Sequence, residues 1–407
     1  MKKMNSLAIL TLGFSVMLTA CGGSNGNSAS SGTASPAAAS SSSSGEALPV
    51  IKLATQTALS GANAEMGIDV KNGVELAVEE NVERFKSLGF DLQLLSLDDK
   101  SDAMTGTTNA KSLVNDKDVL VELGNIYSSV LFAAMPIYEE ANLPVISAAT
   151  TNPGLSREGW KTFHRVSGTD DTQGPDAAQF IFDEGIKDIF IVASSDDYGR
   201  GLADEFRKKA DELGMDVLGN EQVDPQETDF NTISTRIVAS GAKAVFFGGF
   251  YAQGGQFLKQ LSDKKYSGMF VSGDGINDNG FLETARAENV GNVYFASVVG
   301  DLLNDPEGQV WAAKYRAAFG KDPGAFGVYA YDSALIALSS IEKAISDNGG
   351  GKPTREQVND IISLTSGFEG ILSKVTFDEK GDNVDATNFI KTFKSGTYPA
   401  EQIKAME

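Results

Sequence analysis

Short β-branched runs alternate with helical patterns along most of the chain. Residues 50–54, 90–97, 119–123, 144–147, 189–193, 244–248 and 269–272 are apolar almost throughout, the pattern of parallel strands buried on both faces. Between them Met66, Val70, Val74, Ala77 and Val78 repeat at helical spacing, as do Phe206, Ala210 and Leu213, with Lys, Glu and Asp on the opposite sides. Strands alternating with amphipathic helices predict an α/β fold of doubly wound parallel sheets. Ligands in such folds bind at the carboxyl ends of the strands. The loops that follow the strands are therefore the places to look for chemistry.

The first 47 residues break this pattern. Lys2 and Lys3 precede an apolar stretch over 7–18, and Leu18-Thr19-Ala20-Cys21 closes it with small residues before the chain's one cysteine. This arrangement is a secretory signal, too short to span a bilayer as a permanent helix. It predicts a lipoprotein signal peptide over 1–20 and a lipidated Cys21, and with it an extracytoplasmic location, lipid-anchored to a bacterial membrane. Residues 22–47 are almost all Ser, Gly, Ala and Asn. They read as a flexible linker with an end-to-end distance of about 30 Å.

Size and charge narrow the classes. The segment 48–407 exceeds the roughly 250–300 residues at which single cores stop growing, so two domains are expected. The chain carries 55 Asp and Glu against 34 Lys and Arg, a net charge of −21, a poor match for nucleic acid or anionic lipid. One cysteine excludes an internal disulfide. No Gly-x-x-x-x-Gly-Lys-Ser/Thr loop, His-Glu-x-x-His or Cys/His cluster is present, and the body has no Gly-x-Ser-x-Gly elbow. The single histidine, His164, falls in a predicted strand over 162–166 and reads as structural. Gly199-Arg-Gly201 lacks the third glycine of a dinucleotide fingerprint, and 224–229 lacks the spacing of an EF-hand. Neither an enzyme nor a cofactor is expected.

Two strand-end loops stand out. Gly124-Asn-Ile-Tyr-Ser-Ser129 precedes a helical stretch over 130–140, and Ala148-Ala-Thr-Thr-Asn-Pro153 follows the next strand. Each offers hydroxyls beside free backbone N–H groups, and a helix N-terminus adds the positive end of its dipole, which suits a carboxylate. The local alternative is that Ser128 or Ser129 caps its helix and Thr151-Asn152-Pro153 turns the chain. Further on, Gly273-Asp-Gly275 delivers an acid after the strand over 269–272, though the same triplet is ordinary turn chemistry.

The run from Leu123 to Trp160, with its paired serines, Ile137-Tyr-Glu-Glu, Leu143-Pro-Val-Ile-Ser, Ala149-Thr-Thr-Asn-Pro and Gly159-Trp160, resembles the ligand-binding stretch of the leucine/isoleucine/valine-binding proteins. Those are type I periplasmic binding proteins of ABC transporters. The resemblance continues in order through Asp170 to Gln173-Gly-Pro175, Tyr198-Gly-Arg-Gly-Leu-Ala203, Thr228-Asp-Phe230, Phe247-Gly-Gly-Phe250, Gly273-Asp-Gly275 and Phe377-Asp-Glu-Lys-Gly-Asp382. It covers the body from about residue 50 onward. Gly273-Asp-Gly-Ile-Asn-Asp278 also resembles the magnesium motif of haloacid-dehalogenase-like phosphatases. The Asp-x-Asp-x-Thr loop those enzymes need is missing from Thr55-Gln-Thr-Ala-Leu-Ser60.

The resemblance implies two α/β lobes joined by three crossovers, lobe 1 over 48–168 plus 298–375 and lobe 2 over 169–297 plus 376–407. By it Ser128, Ala149 and Thr151 hold an amino acid's α-carboxylate and part of its ammonium, and Asp274 pairs with the ammonium. Met66, Ile126, Tyr127, Thr150, Tyr198, Phe250 and Phe326 line the side-chain pocket; they are mostly apolar and aromatic, which points to an aliphatic or other uncharged side chain. Three positions depart from the branched-chain binders: Phe250 stands for tyrosine, Asp274 for glutamate and Tyr127 for a small cysteine. The implied partners are a small-molecule amino acid, ABC permease subunits and, through Cys21, a membrane, with the protein itself a monomer. A sensor for a membrane receptor, or a binder of urea, an amide or an aromatic acid, are the alternatives.

Overall fold

The computed structural model describes residues 47–406 apart from Ser373; the signal segment, Cys21 and 22–46 of the linker lie outside the described residues. Five strands open the body, each but the last followed by a helix: β1 (Val50–Thr57), α1 (Ala64–Ser87), β2 (Asp91–Asp98), α2 (Ala103–Asn115), β3 (Val119–Gly124), α3 (Ser128–Glu140), β4 (Val145–Ser147), the single turn α4 (Gly154–Arg157) and β5 (Phe163–Arg165). They form one all-parallel sheet in the order β2-β1-β3-β4-β5. Alternate residues of β1 serve separate cores. Ile51 and Leu53 join the side covered by α1, and Ala54 joins the cluster beneath α2 and α3.

The chain then builds a second sheet from α5 (Asp170–Asp183), β6 (Asp188–Ser194), α6 (Asp197–Glu212), β7 (Asp216–Val223), α7 (Asn231–Ser240), β8 (Ala244–Gly248), α8 (Tyr251–Asp263), β9 (Met269–Ser272), α9 (Asn279–Ala285) and β10 (Val293–Ser297). It returns to the first sheet with α10 (Pro306–Phe319), α11 (Gly327–Asp347) and α12 (Arg355–Ile362), of which α10 and α11 pack on α1 and α12 on β3. A small ladder of β11 (Phe368–Glu369) and β12 (Lys374–Val375) follows. The chain crosses once more to add β13 (Phe389–Thr392) and β14 (Glu401–Ala405), both antiparallel, giving the order β14-β13-β10-β9-β8-β6-β7. The chain thus passes between the sheets three times. Stacked Phe206 and Phe246, with ring centroids 3.8 Å apart, anchor α6 to β8 in the second core, each ring worth about 1.5–3 kcal/mol of burial.

Strand order reverses between β1 and β3 in the first sheet and between β6 and β8 in the second. These reversals are where an open α/β sheet leaves a crevice for a ligand. All seven apolar runs of the sequence are strands, with one correction. β2 is an edge strand, half-exposed along its length, and not buried on both faces. Four strands of the second sheet escape a reading by apolar runs. β7 is an edge strand with alternating exposure and few apolar residues, and β13 and β14 pair antiparallel after a crossover, where no run of buried residues is needed. β10 is short and its Tyr294 is only partly covered.

Candidate ligand-binding site

The loop after β3 turns through two positive-φ residues, Gly124 (φ 137°) and Asn125 (φ 62°). A Cβ at Gly124 would sit 3.1 Å from the Gln56 carbonyl oxygen, so this position favours glycine both for its angle and for the close approach of β1. Asn125 is held there by its own N–H to the Gln56 carbonyl and its Nδ2 to Glu122 Oε2, both 2.9 Å. The turn delivers Ile126, Tyr127 and Ser128 to the sheet's end. Ser128 opens α3, whose N-cap is Tyr127 without a side-chain cap bond. The capping alternative is therefore overturned: Ser128 Oγ is buried with no hydrogen-bond partner. The loop after β4 is splinted by the buried Arg165, which donates to the carbonyls of Thr150 (3.2 Å) and Asn152 (2.9 Å), to Ser156 Oγ (3.0 Å) and to Asp382 (2.6 Å). Thr150 turns its hydroxyl to Ser147 at 2.5 Å. Asn152 makes the chain turn by accepting from Gly154 N, leaving the buried Thr151 Oγ1 without a hydrogen-bond partner beside Ala149.

The second sheet faces these hydroxyls with acids. Tyr198 donates to Asp274 Oδ1 and accepts from Gly275 N, both at 2.9 Å, and Asp274 N donates to Gln173 Oε1 at 2.9 Å. The flanking glycines answer a need for room. A Cβ at Gly273 would lie 2.1 Å from Gln173 Oε1, and one at Gly275 2.5 Å from the Gly249 carbonyl oxygen. Asp274 Oδ2 is buried and without a hydrogen bond, and burial pushes this carboxyl up to about 7. Asp170, at the start of α5, joins it. Both its oxygens are buried without hydrogen-bond partners, and its pKa is driven well up, first by burial and then by the negative charge of Asp274, with the neighbouring Thr151 hydroxyl and Arg165 opposing. The sequence shows Asp170 only as part of Asp-Asp-Thr-Gln-Gly-Pro, where an acid in a helix's first turn is unremarkable.

Aromatic rings bound the remaining space. Tyr127 and Phe250 have centroids 4.3 Å apart, and Phe250 and Tyr198 5.0 Å. Met66 on α1, Ile126 and Phe326, the N-cap residue of α11, are all buried. The structure thus links Tyr198, Tyr127, Phe250, Thr151 and Asp274 through direct contacts or charges, while Met66 and Phe326 are buried on α1 and at the start of α11. Tyr251 opens α8 and packs against Gly280.

The chain matches the periplasmic binding protein family model over residues 50–396. It is 32% identical over 327 residues to a Leu/Ile/Val-binding protein homolog 1 of Brucella melitensis biotype 1, an alignment covering 80% of this chain and 85% of the relative. Among solved structures, the branched-chain amino acid transporter substrate binding protein LivJ from Streptococcus pneumoniae, in complex with isoleucine, superposes with a TM-score of 0.78 at 24% identity, covering 87% of this chain and 99% of that one. A solute binding protein of an ABC transporter from R. palustris, in complex with benzoate, gives 0.77 at 18% identity over 88% and 96%. The chain belongs to the periplasmic binding protein family. Its class is substrate binding for transport and not catalysis, and the family works outside the cytoplasm.

In this periplasmic binding protein the other chemistry-bearing residues have structural duties. His164 Nε2 lies 3.0 Å from Ser363 Oγ and its ring 5.1 Å from Phe377, and burial lowers its pKa to about 4. Asp278 caps α9 through Gly280 N. A cavity of about 630 Å³ opens near Glu65, Asp69, Asp278, Tyr315, Lys391 and Tyr398 and shares none of the predicted ligand residues. Its buried charges are already matched: Asp69 accepts from the N–H groups of Gly324, Phe326 and Gly327, and Lys391 donates to the Gly300 carbonyl. The lobes of the binding protein also touch directly. Asn152 Nδ2 donates to the Asp197 carbonyl at 2.5 Å, and Asn63 Oδ1 accepts from Ala252 N at 3.2 Å.

Proposed function

We propose that this protein captures a small uncharged α-amino acid between its lobes and delivers it to an ABC permease. One observation carries the reading: among the buried polar atoms without hydrogen-bond partners are hydroxyls on the first sheet's strand-end loops and carboxylate oxygens of the second lobe near them. Ser128 Oγ and Thr151 Oγ1 come from the first sheet, with the free N–H groups of the first turn of α3 beside them, and Asp170 and Asp274 carboxylate oxygens come from the second. A zwitterion needs donors at one end and a carboxylate at the other, or the cost of removing it from water prevents binding. Ala149 lines the carboxylate end. Met66, Ile126, Tyr127, Thr150, Phe250, Phe326 and the Tyr198 ring would surround the side chain. An aromatic acid such as the benzoate of the R. palustris structure would bring a negative charge beside two carboxyls whose ionisation burial already disfavours. A neutral amide or urea would supply no cation to favour the ionised form of either acid.

Mechanism follows from the division of contacts. Lobe 1, taken as 48–168 with 298–375, holds the hydroxyls, and lobe 2, taken as 169–297 with 376–407, holds the acids. A ligand touching both binds the closed form better and shifts the hinge equilibrium toward it, and closure is the state a permease reads. Lipidation of Cys21 and the linker over 22–47 would hold the domain near that permease at high effective concentration. A thermal-shift and calorimetry panel of the twenty amino acids with urea, short amides and benzoates tests the reading. Stabilisation by uncharged α-amino acids is expected. A panel in which only compounds without an ammonium shift the transition would falsify it.

A further inference from the structure

The position of Tyr127 is secured at both ends of the phenol. The ring lies against Phe250 with centroids 4.3 Å apart and planes 40° apart, closer than the 4.5–7 Å usual for aromatic pairs, so no ligand group passes between them. The hydroxyl accepts a hydrogen bond of 2.7 Å from Asn63 Nδ2. Asn63 occupies the N-cap position of α1 yet makes no cap bond to its own helix. Its side chain instead spans the cleft, Nδ2 to Tyr127 on the first sheet's side and Oδ1 to Ala252 N, in the first turn of α8, on the second. Phe250 continues the wall to Tyr198, whose hydroxyl sits on the acid Asp274.

Resting on the amino-acid reading above, we infer that Asn63 and Tyr127 cap the side-chain end of the site and restrict the ligand to small side chains, from alanine, serine and threonine up to valine, against leucine, isoleucine and phenylalanine. Two effects act together. A long side chain must push the Tyr127 ring away from Phe250, where close packing leaves no slack. Moving that ring breaks its bond to Asn63, and with it loosens the Asn63 to Ala252 bond that joins the lobes. The larger ligand is therefore disfavoured in the closed state as well as by bulk. Asn63 is the positioning residue: it touches the ligand only through Tyr127. Burial raises the Tyr127 phenol to about 12, so the cap stays neutral across the physiological range.

Calorimetric affinities of alanine, threonine, valine, leucine and phenylalanine for the wild-type protein, Asn63→Ala and Tyr127→Cys test this. The wild type is expected to bind alanine to valine at least about tenfold more tightly than leucine or phenylalanine, one or two methylenes being worth that much in a closed pocket. Tyr127→Cys should reverse the order. Asn63→Ala, a half-buried change that spares the core, should narrow the gap and leave the ligand-bound form more open by small-angle scattering. Equal wild-type affinity for alanine and phenylalanine, or an unchanged ranking in folded Asn63→Ala, overturns the size inference and leaves amino-acid binding intact. If no amino acid binds while other compounds do, the failure lies with the functional reading.

Discussion

Asp170 and Asp274 show how an arrangement suited to a ligand costs the unliganded protein stability. Neither carboxyl is in an ion pair, Arg165 only partly offsets the cost at Asp170, and burial raises both pKa values, that of Asp274 to about 7. A folded pKa above the unfolded value means that the native state binds more protons between the two, so their contribution to stability declines as pH rises from about 4 through 7. Replacing Asp274 with Asn should remove that cost. Calorimetry at pH 5 and pH 8 is expected to show a melting temperature for Asp274→Asn that gains on wild type as pH rises, together with at least a hundredfold loss of ligand affinity. The same linkage acts on binding. An ammonium between the two acids lowers their pKa values, so binding releases protons and affinity falls as pH drops below 7, by up to about tenfold per pH unit for each proton released. Titrations in buffers of different ionisation enthalpy measure the release directly, and a heat independent of buffer would refute it.

At the scale of elements, the proposed site lies on strand-end loops, and the loop after β4 is held by a residue with no direct ligand role. Arg165 on β5 secures the loop after β4 through two carbonyls, a hydroxyl and Asp382. Arg165→Met should destabilise the fold by about 3–5 kcal/mol, the usual loss when one member of a buried charged network is removed, measurable by urea unfolding. Ligand affinity should fall with it, as Thr151 loses its support. The seven strands were legible because apolar runs of that length mark strands, although β2 proved to be a half-exposed edge strand. Ser128, Thr151 and Asp274 could be singled out as candidates because they occupy loops after such strands. Asp170, Arg165 and Asn63 were not, because an acid in a first helical turn, an arginine in a strand and an asparagine before a helix are common local features whose partners lie far away in sequence. Asn63 and Ala252, for example, are 189 residues apart.

For the whole molecule, the proposed closure would balance ligand contacts against direct contacts between lobes. Asn63 to Ala252, Asn152 to Asp197 and the exposed pairs of Arg157 with Asp171 and Glu205 hold the cleft together. Exposed ion pairs contribute only about 0–1 kcal/mol each, too little to replace a bound zwitterion. Scattering should show a smaller radius of gyration on adding ligand to the wild type and no change in Asp274→Asn. The proposed anchor at Cys21 would be separable from ligand binding. Cys21→Ser should release the protein from membranes in fractionation without altering its calorimetric affinity.

The sequence by itself determined the class of fold, the order of its strands and helices along most of the body, and a set of candidate loops, because burial on both faces of a parallel sheet leaves a signal in consecutive residues. Which groups remain without partners in the cleft, that two acids and not one meet the hydroxyls of the other lobe, and that Tyr127 is pinned by Asn63 were decided only by tertiary structure. Those facts depend on distances between residues separated by long stretches of chain, and no local pattern records them.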